Sequence, residues 1–186
     1  MSPGKPNSRR PARGAKGRII LVLGGASSGK SEAALQLAGS RRPRAFVATG
    51  QGLDAEMSVR IARHQAARSA DWNTIEEPID VEAWFAKDGP QYRTILFDCV
   101  TLWLNNLVGI GLKESAIRSR VVTLSQAMRT VTARVIIVSN ELGLGLVPAE
   151  PATRAFRELC GRVNQHIAAE ADEVHLVVSG ISLRLK

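Results

Sequence analysis

One segment constrains this chain more than any other, the run Gly24-Gly25-Ala26-Ser27-Ser28-Gly29-Lys30-Ser31. It follows the apolar stretch Ile19 to Leu23 and opens a helical pattern that starts at Lys30. The pattern GxxxxGKS is a phosphate-binding loop, or P-loop, when strand, loop and helix come in that order. Its glycines let backbone N–H groups turn inward around a phosphate, and the helix start adds its positive dipole. In that reading Lys30 neutralises phosphate charge and the Ser31 hydroxyl reaches a magnesium ion. A chance glycine-rich turn would not need the flanking strand and helix. The motif points to a nucleotide and leaves the reaction open.

The rest of the chain alternates in the way such a loop requires. Strands are predicted at Ile19 to Leu23, Ala45 to Ala48, Thr94 to Phe97, Val135 to Ser139 and Val174 to Ser179, from short β-branched and apolar runs. Helices are predicted at Lys30 to Leu37, Asp54 to Ala67, Val81 to Phe85, Ser115 to Thr130 and Thr153 to Ala171. This alternation gives an α/β fold of the P-loop NTPase type (RecA-like), a largely parallel sheet flanked by helices in a single domain. Ligands then collect at the carboxyl ends of the strands.

Charge divides the chain unevenly. The formal charge is +8, but Lys5, Arg9, Arg10, Arg13 and Lys16 lie in a stretch without a single acid. Residues 18–186 therefore carry only +3, which suits phosphorylated small molecules and gives no reason to expect nucleic acid as a partner. Residues 1–17 have no apolar pattern and are expected to form a disordered basic tail ahead of a domain at 18–186. No stretch of the chain has the apolar length of a membrane span or the apolar core of a secretory signal, so a cytoplasmic location is expected. Cys99 and Cys160 have neither CxxC nor zinc spacing and read as core thiols.

Several polar groups are candidates for chemistry. Asp98 ends the strand Thr94 to Phe97, where an acid either holds magnesium beside a P-loop or caps the next helix. Glu56, Arg60, His64 and Arg68 are spaced by four and share a helix face, apart from the apolar Met57 and Ile61. Positive neighbours favour a neutral imidazole, which is a nucleophile, and could hold the phosphates it attacks. The same face could equally be a solvated charged surface. Asn140 and Glu141 either face the site or hold the glycine-rich loop that continues to Pro148. Arg154, Arg157 and Arg162 either receive an anion or are solvated, and His166 and His175 read as structural.

Five ordered blocks, LVLGGASSGKS, VATGQGLDAEMSVRIARHQAARSADWNTIEEP, ILFDCVTLWLNNLV, VIIVSNELGLGLVP and FRELCGRVNQHIAAEADEVHLVVSGISLRLK, span most of residues 19–186. Together they resemble the bifunctional adenosylcobinamide kinase and adenosylcobinamide-phosphate guanylyltransferase family of cobalamin biosynthesis. The resemblance implies that ATP or GTP phosphorylates adenosylcobinamide and that GTP then gives GMP to the phosphate, yielding adenosylcobinamide-GDP. Members of the family guanylylate a histidine in the segment matched by RIARHQAAR, where His64 fills the role. The resemblance also implies guanine-nucleotide contacts from Thr49, Gly50, Gln51, Gln65, Ala66, Ala67, Arg68 and Glu76. It matches Asp98 to the metal-associated acid after the strand, so that magnesium is expected on Ser31 of the P-loop and Asp98, and it implies a homo-oligomer, a trimer among the options. Ser27 stands where many relatives have Arg, which removes one phosphate contact and leaves the backbone cradle intact. The competing readings are a P-loop kinase of another small metabolite, with no use for His64, and a P-loop protein that binds nucleic acid through its tail.

Overall fold

The computed structural model describes residues 17–52, 54–66 and 69–186; the side chains of Met57, Arg60, His64 and Ala66 lie outside that description. The tail, residues 1–16, lies outside it too, whereas Gly17 is buried and donates its N–H to the Val131 carbonyl.

Seven strands form one sheet: β1 Ile19–Gly24, β2 Arg44–Ala48, β3 Trp72–Glu76, β4 Thr94–Asp98, β5 Arg134–Asn140, β6 Glu173–Val178 and β7 Ile181–Arg184. Their order is β3-β2-β4-β5-β1-β6-β7, parallel except for β7, which returns antiparallel to β6. The helices are α1 Lys30–Ala38, α2 Ala55–Ala66, α3 Val81–Lys87, α4 Val100–Gly109, α5 Glu114–Thr130 and α6 Pro151–Glu170. The expected P-loop α/β architecture is present, and among the described residues β3, α4, β7 and a short 3-10 turn at Gly89–Gln91 come in addition to the elements predicted.

Period-two alternation sorts the buried strands onto two cores. In β1, Ile19, Leu21 and Leu23 join the larger apolar cluster with residues of α3, α4, α5 and α6, while Ile20 and Val22 join Ala33, Ala34 and Ala38 of α1. Both faces of β1 are covered, so its six residues are all buried. Register then fixes where the loops emerge. Gly24 pairs with Asn140, Val138 with Asp98, and Ala48 with both Asp98 and Glu76. The carboxyl ends of five parallel strands thus lie along one sheet edge, with β5 between the P-loop strand and the Asp98 strand.

Candidate active site

Gly24 ends β1 under a steric constraint: a Cβ there would collide with the Ser28 hydroxyl and stand 2.7 Å from the Val177 carbonyl. Beyond it the chain enters the left-handed region at Ser27 (φ 53°) and Gly29 (φ 89°), a conformation that turns successive N–H groups to one side. Gly25 and Ala26 are the exposed bend that leads into it. Two distant segments brace the loop. The Glu141 N–H donates to the Gly24 carbonyl at 3.0 Å, and the Gly180 N–H to the Ser28 carbonyl at 2.8 Å. Lys30 opens α1 almost fully buried, its Nζ donating to the Gly25 carbonyl at 2.9 Å, so the ammonium already lies across the cradle.

A cavity of about 1050 Å³ opens in front of this loop. Ser27, Ser28, Gly29, Lys30, Ser31 and Asp98 line it together with Glu32, Leu35 and Gln36 of α1, Phe46 of β2, and Ala55, Glu56, Val59 and Arg63 of α2. Ser31 and Asp98, predicted to share a metal, therefore face one space. The N-cap of α4 is Cys99, whose Sγ accepts from the Leu102 N–H, so Asp98 is not that cap.

A second cavity, about 490 Å³, holds Gly50, Gln51, Gln65 and Glu76, with Ser58, Ile61 and Ala62 of α2 among its walls. The residues expected around the nucleotide are therefore split between two spaces. Helix α2 lies between them, presenting Ala55, Glu56, Val59 and Arg63 to one and Ser58, Ile61, Ala62 and Gln65 to the other. His64 and Ala66 belong to the last turn of α2, but their side chains lie outside the described residues, as do Ala67 and Arg68 altogether.

Thr49 lines neither cavity. It is fully buried, and its hydroxyl donates to the Cys99 carbonyl and accepts from the Cys99 N–H, clamping the turn after Asp98. Burial, and next the charge of Asp98, pushes the Cys99 thiol up to about 12. Asn106 of α4 donates to the Thr49 and Pro78 carbonyls, tying that turn to the second cavity. A second polar set fixes the β5 end: Thr101 Oγ1 accepts from the Asn140 N–H, Ser139 donates to Asn164 Oδ1, and Asn164 donates to the Asn140 carbonyl. Sequence reasoning misses Asn106, Thr101 and Asn164. Their one visible signal is polarity inside apolar helical runs.

The loop after β5 is held by its own side chains and by those of the helix that follows. Glu141 Oε1 accepts the Gly143 N–H, so this carboxylate holds the loop. Arg157 donates to the Leu146 and Gly143 carbonyls, and Arg154 to those of Pro148 and Ala149, so both serve the loop backbone. His166 contacts the Ser125 hydroxyl and buried His175 that of Ser182, the structural roles expected of them.

The family model described as "Cobinamide kinase / cobinamide phosphate guanyltransferase" matches residues 20–185. The chain belongs to this family. It is 38% identical over 180 residues to the bifunctional adenosylcobalamin biosynthesis protein CobU of Escherichia coli (strain K12), covering 90% of this chain and 99% of that protein. It is 39% identical to CobU of Salmonella typhimurium over the same shares, and 39% identical to CobP of Pseudomonas aeruginosa, covering 89% of this chain and 96% of the relative. Among solved structures it is similar to a KaiC-like protein of Pyrococcus horikoshii (TM-score 0.49, 13% identity, covering 87% and 71% of the two chains). The CobU and CobP relatives are enzymes named as bifunctional, and the family match runs from residue 20 to 185. Among the described residues, no helix is long and apolar enough to cross a membrane.

Proposed function

We propose that the chain phosphorylates adenosylcobinamide with ATP or GTP and then transfers GMP from GTP to the resulting phosphate through a GMP-histidine on His64. One observation carries this reading: in a chain matching the family from residue 20 to 185, the P-loop, Ser31 and Asp98 converge on a single cavity at the sheet edge. In the kinase step the hydroxyl oxygen of the aminopropanol arm attacks the γ-phosphorus, the β–γ bridging bond breaks, nucleoside diphosphate leaves, and the hydroxyl proton passes to solvent. In the second step an imidazole nitrogen of His64 attacks the α-phosphorus of GTP and pyrophosphate leaves. A phosphate oxygen of the cobinamide phosphate then attacks that phosphorus, the N–P bond breaks, and adenosylcobinamide-GDP is released with His64 restored.

The P-loop amides and the Lys30 ammonium bind the phosphates and stabilise their charge as it shifts to the leaving group. Ser31 and Asp98 fit magnesium, because a hard cation that keeps several waters needs only one or two protein oxygens beside those of phosphate. When bound, the ion neutralises phosphate charge. Gly50, Gln51, Gln65 and Glu76 offer the polar wall of a guanine site, and α2 joins that wall to the P-loop cavity. Thr49 positions the turn after Asp98, and family resemblance supports a homo-oligomer. GTP labelled at the α-phosphate tests the central step. Wild-type protein is expected to take up acid-labile, base-stable label, and His64→Ala to take up none while keeping part of its kinase activity. Label persisting on His64→Ala would exclude His64, and an unlabelled wild type would exclude the covalent route.

A further inference from the structure

The loop from Glu141 to Ala149 combines exposed apolar side chains with a fixed backbone. Its aliphatic side chains stand in water: Leu144, Leu146 and Val147 are 77%, 95% and 73% exposed. Its backbone, by contrast, is tied down at four carbonyls by Arg154 and Arg157 and at one N–H by Glu141. A loop whose only task is to connect β5 to α6 has no need of two arginines that hold apolar groups outward. Exposed apolar clusters of this kind mark a contact surface, and holding the surface in advance lowers the ordering cost of binding.

The position of the loop selects the occupant. It leaves β5 where Asn140 pairs with Gly24, and its first N–H bonds the Gly24 carbonyl, so the platform is attached to the rim of the phosphate cradle. Resting on the function proposed above, the substrate is a corrin ring whose reacting hydroxyl sits at the end of a short arm. With that hydroxyl at the cradle, the ring must lie outside the cavity within the length of the arm. The corrin rim carries methyl groups that would be removed from water against aliphatic side chains, while its amides stay solvated. We infer that Leu144, Leu146 and Val147 form the corrin-docking platform of this protein and determine its affinity for cobinamide without touching the nucleotide.

The test compares full-length wild type, the double variant Leu144→Ser with Leu146→Ser, and the conservative Leu146→Met. Cobinamide binding is measured by equilibrium dialysis, read at the visible absorbance of the corrin and independent of turnover. GTP binding, sedimentation and circular dichroism are followed alongside. The double variant is expected to lose about tenfold in cobinamide affinity, the Met variant to stay within about twofold, and GTP binding and sedimentation to be unchanged. Unchanged cobinamide affinity in the double variant overturns the inference. So does a smaller sedimenting species with unchanged affinity, which would give the loop to contacts between copies of the chain. A wild type that binds no cobinamide sinks the proposed function as well, whereas a wild type that binds and phosphorylates it beside an equally tight variant sinks the platform alone.

Discussion

Cys99 follows Asp98 directly and is nearly inaccessible, with its thiol pushed up to about 12; Cys160 in α6 is also pushed up to about 12, by burial and then the charge of Glu141. A thiol in that range is almost wholly protonated at neutral pH, and the thiolate is the reactive form. The folded protein is therefore expected to resist iodoacetamide at pH 8 and to gain two carbamidomethyl groups only after denaturation, as read by intact mass. Modification of the native chain with loss of GTP binding would show that the turn after Asp98 opens. At this scale the sequence reveals the groups that meet phosphate, because a P-loop is local and its chemistry lies in consecutive residues. Thr49 shows the limit. Motif position assigns it to the nucleotide, but its hydroxyl serves Cys99, fifty residues away, and no local pattern carries that pairing.

Among the elements, the β6–β7 hairpin has the clearest effect on the site. Its turn contains Ser179 (φ 51°) and Gly180 (φ 80°), and the Cα of Gly180 would stand 3.1 Å from a Cβ placed on Gly29. A β-branched residue at Gly180 meets an unfavourable backbone region, at a cost of about 1–3 kcal/mol, and disturbs the bond to Ser28. Gly180→Val is expected to lower Tm by several degrees and also to weaken GTP binding. Weakened stability with unchanged GTP affinity would show that the hairpin supports the fold but not the cradle. This hairpin is hidden in the sequence because all four residues of β7 are exposed, leaving no buried alternation to read. Strand β3 escapes for a related reason: only Trp72 of its five residues is buried. Helix α4 is hidden by the opposite condition. Its run Val100 to Gly109 is so apolar, with Val100, Thr101, Trp103, Leu104 and Leu107 buried, that a helical period has little polar contrast to show against. The Asn106 and Thr101 contacts that order the site travel with it.

For the molecule as a whole, Asp172 links three separate parts: it accepts from the Ile19 N–H at 2.7 Å and from Arg129 at 2.9 Å, joining the start of β1 and the end of α5 to the start of β6. Burial works to raise its pKa, but the Ile19 N–H and Arg129 outweigh it and hold the carboxyl below its ordinary value. The contribution to stability is thus present above the unfolded carboxylate pKa, about 4, and is lost as pH falls through the lower folded value. Asp172→Asn is expected to cost about 1 kcal/mol at pH 7, discounted for the partial exposure of the pair. It should also flatten the decline of Tm below pH 4; a mutant with the wild-type acid slope would remove Asp172 from that account. The overall architecture is legible in the sequence because alternating strands and helices after a P-loop admit few arrangements, but the pairings that close it are all long-range. The bond from Gly180 to Ser28 carries this furthest. During synthesis the ribosome releases the GxxxxGKS segment early, whereas its brace at Gly180 follows only after β2 to β6. The growing polypeptide therefore carries the complete phosphate-binding sequence well before it can carry a complete phosphate-binding site. A stalled nascent chain ending at Leu176 is expected to retain no GTP, while the protein that includes Gly180 does, so that nucleotide capture reports the arrival of the β6–β7 turn rather than the appearance of the motif.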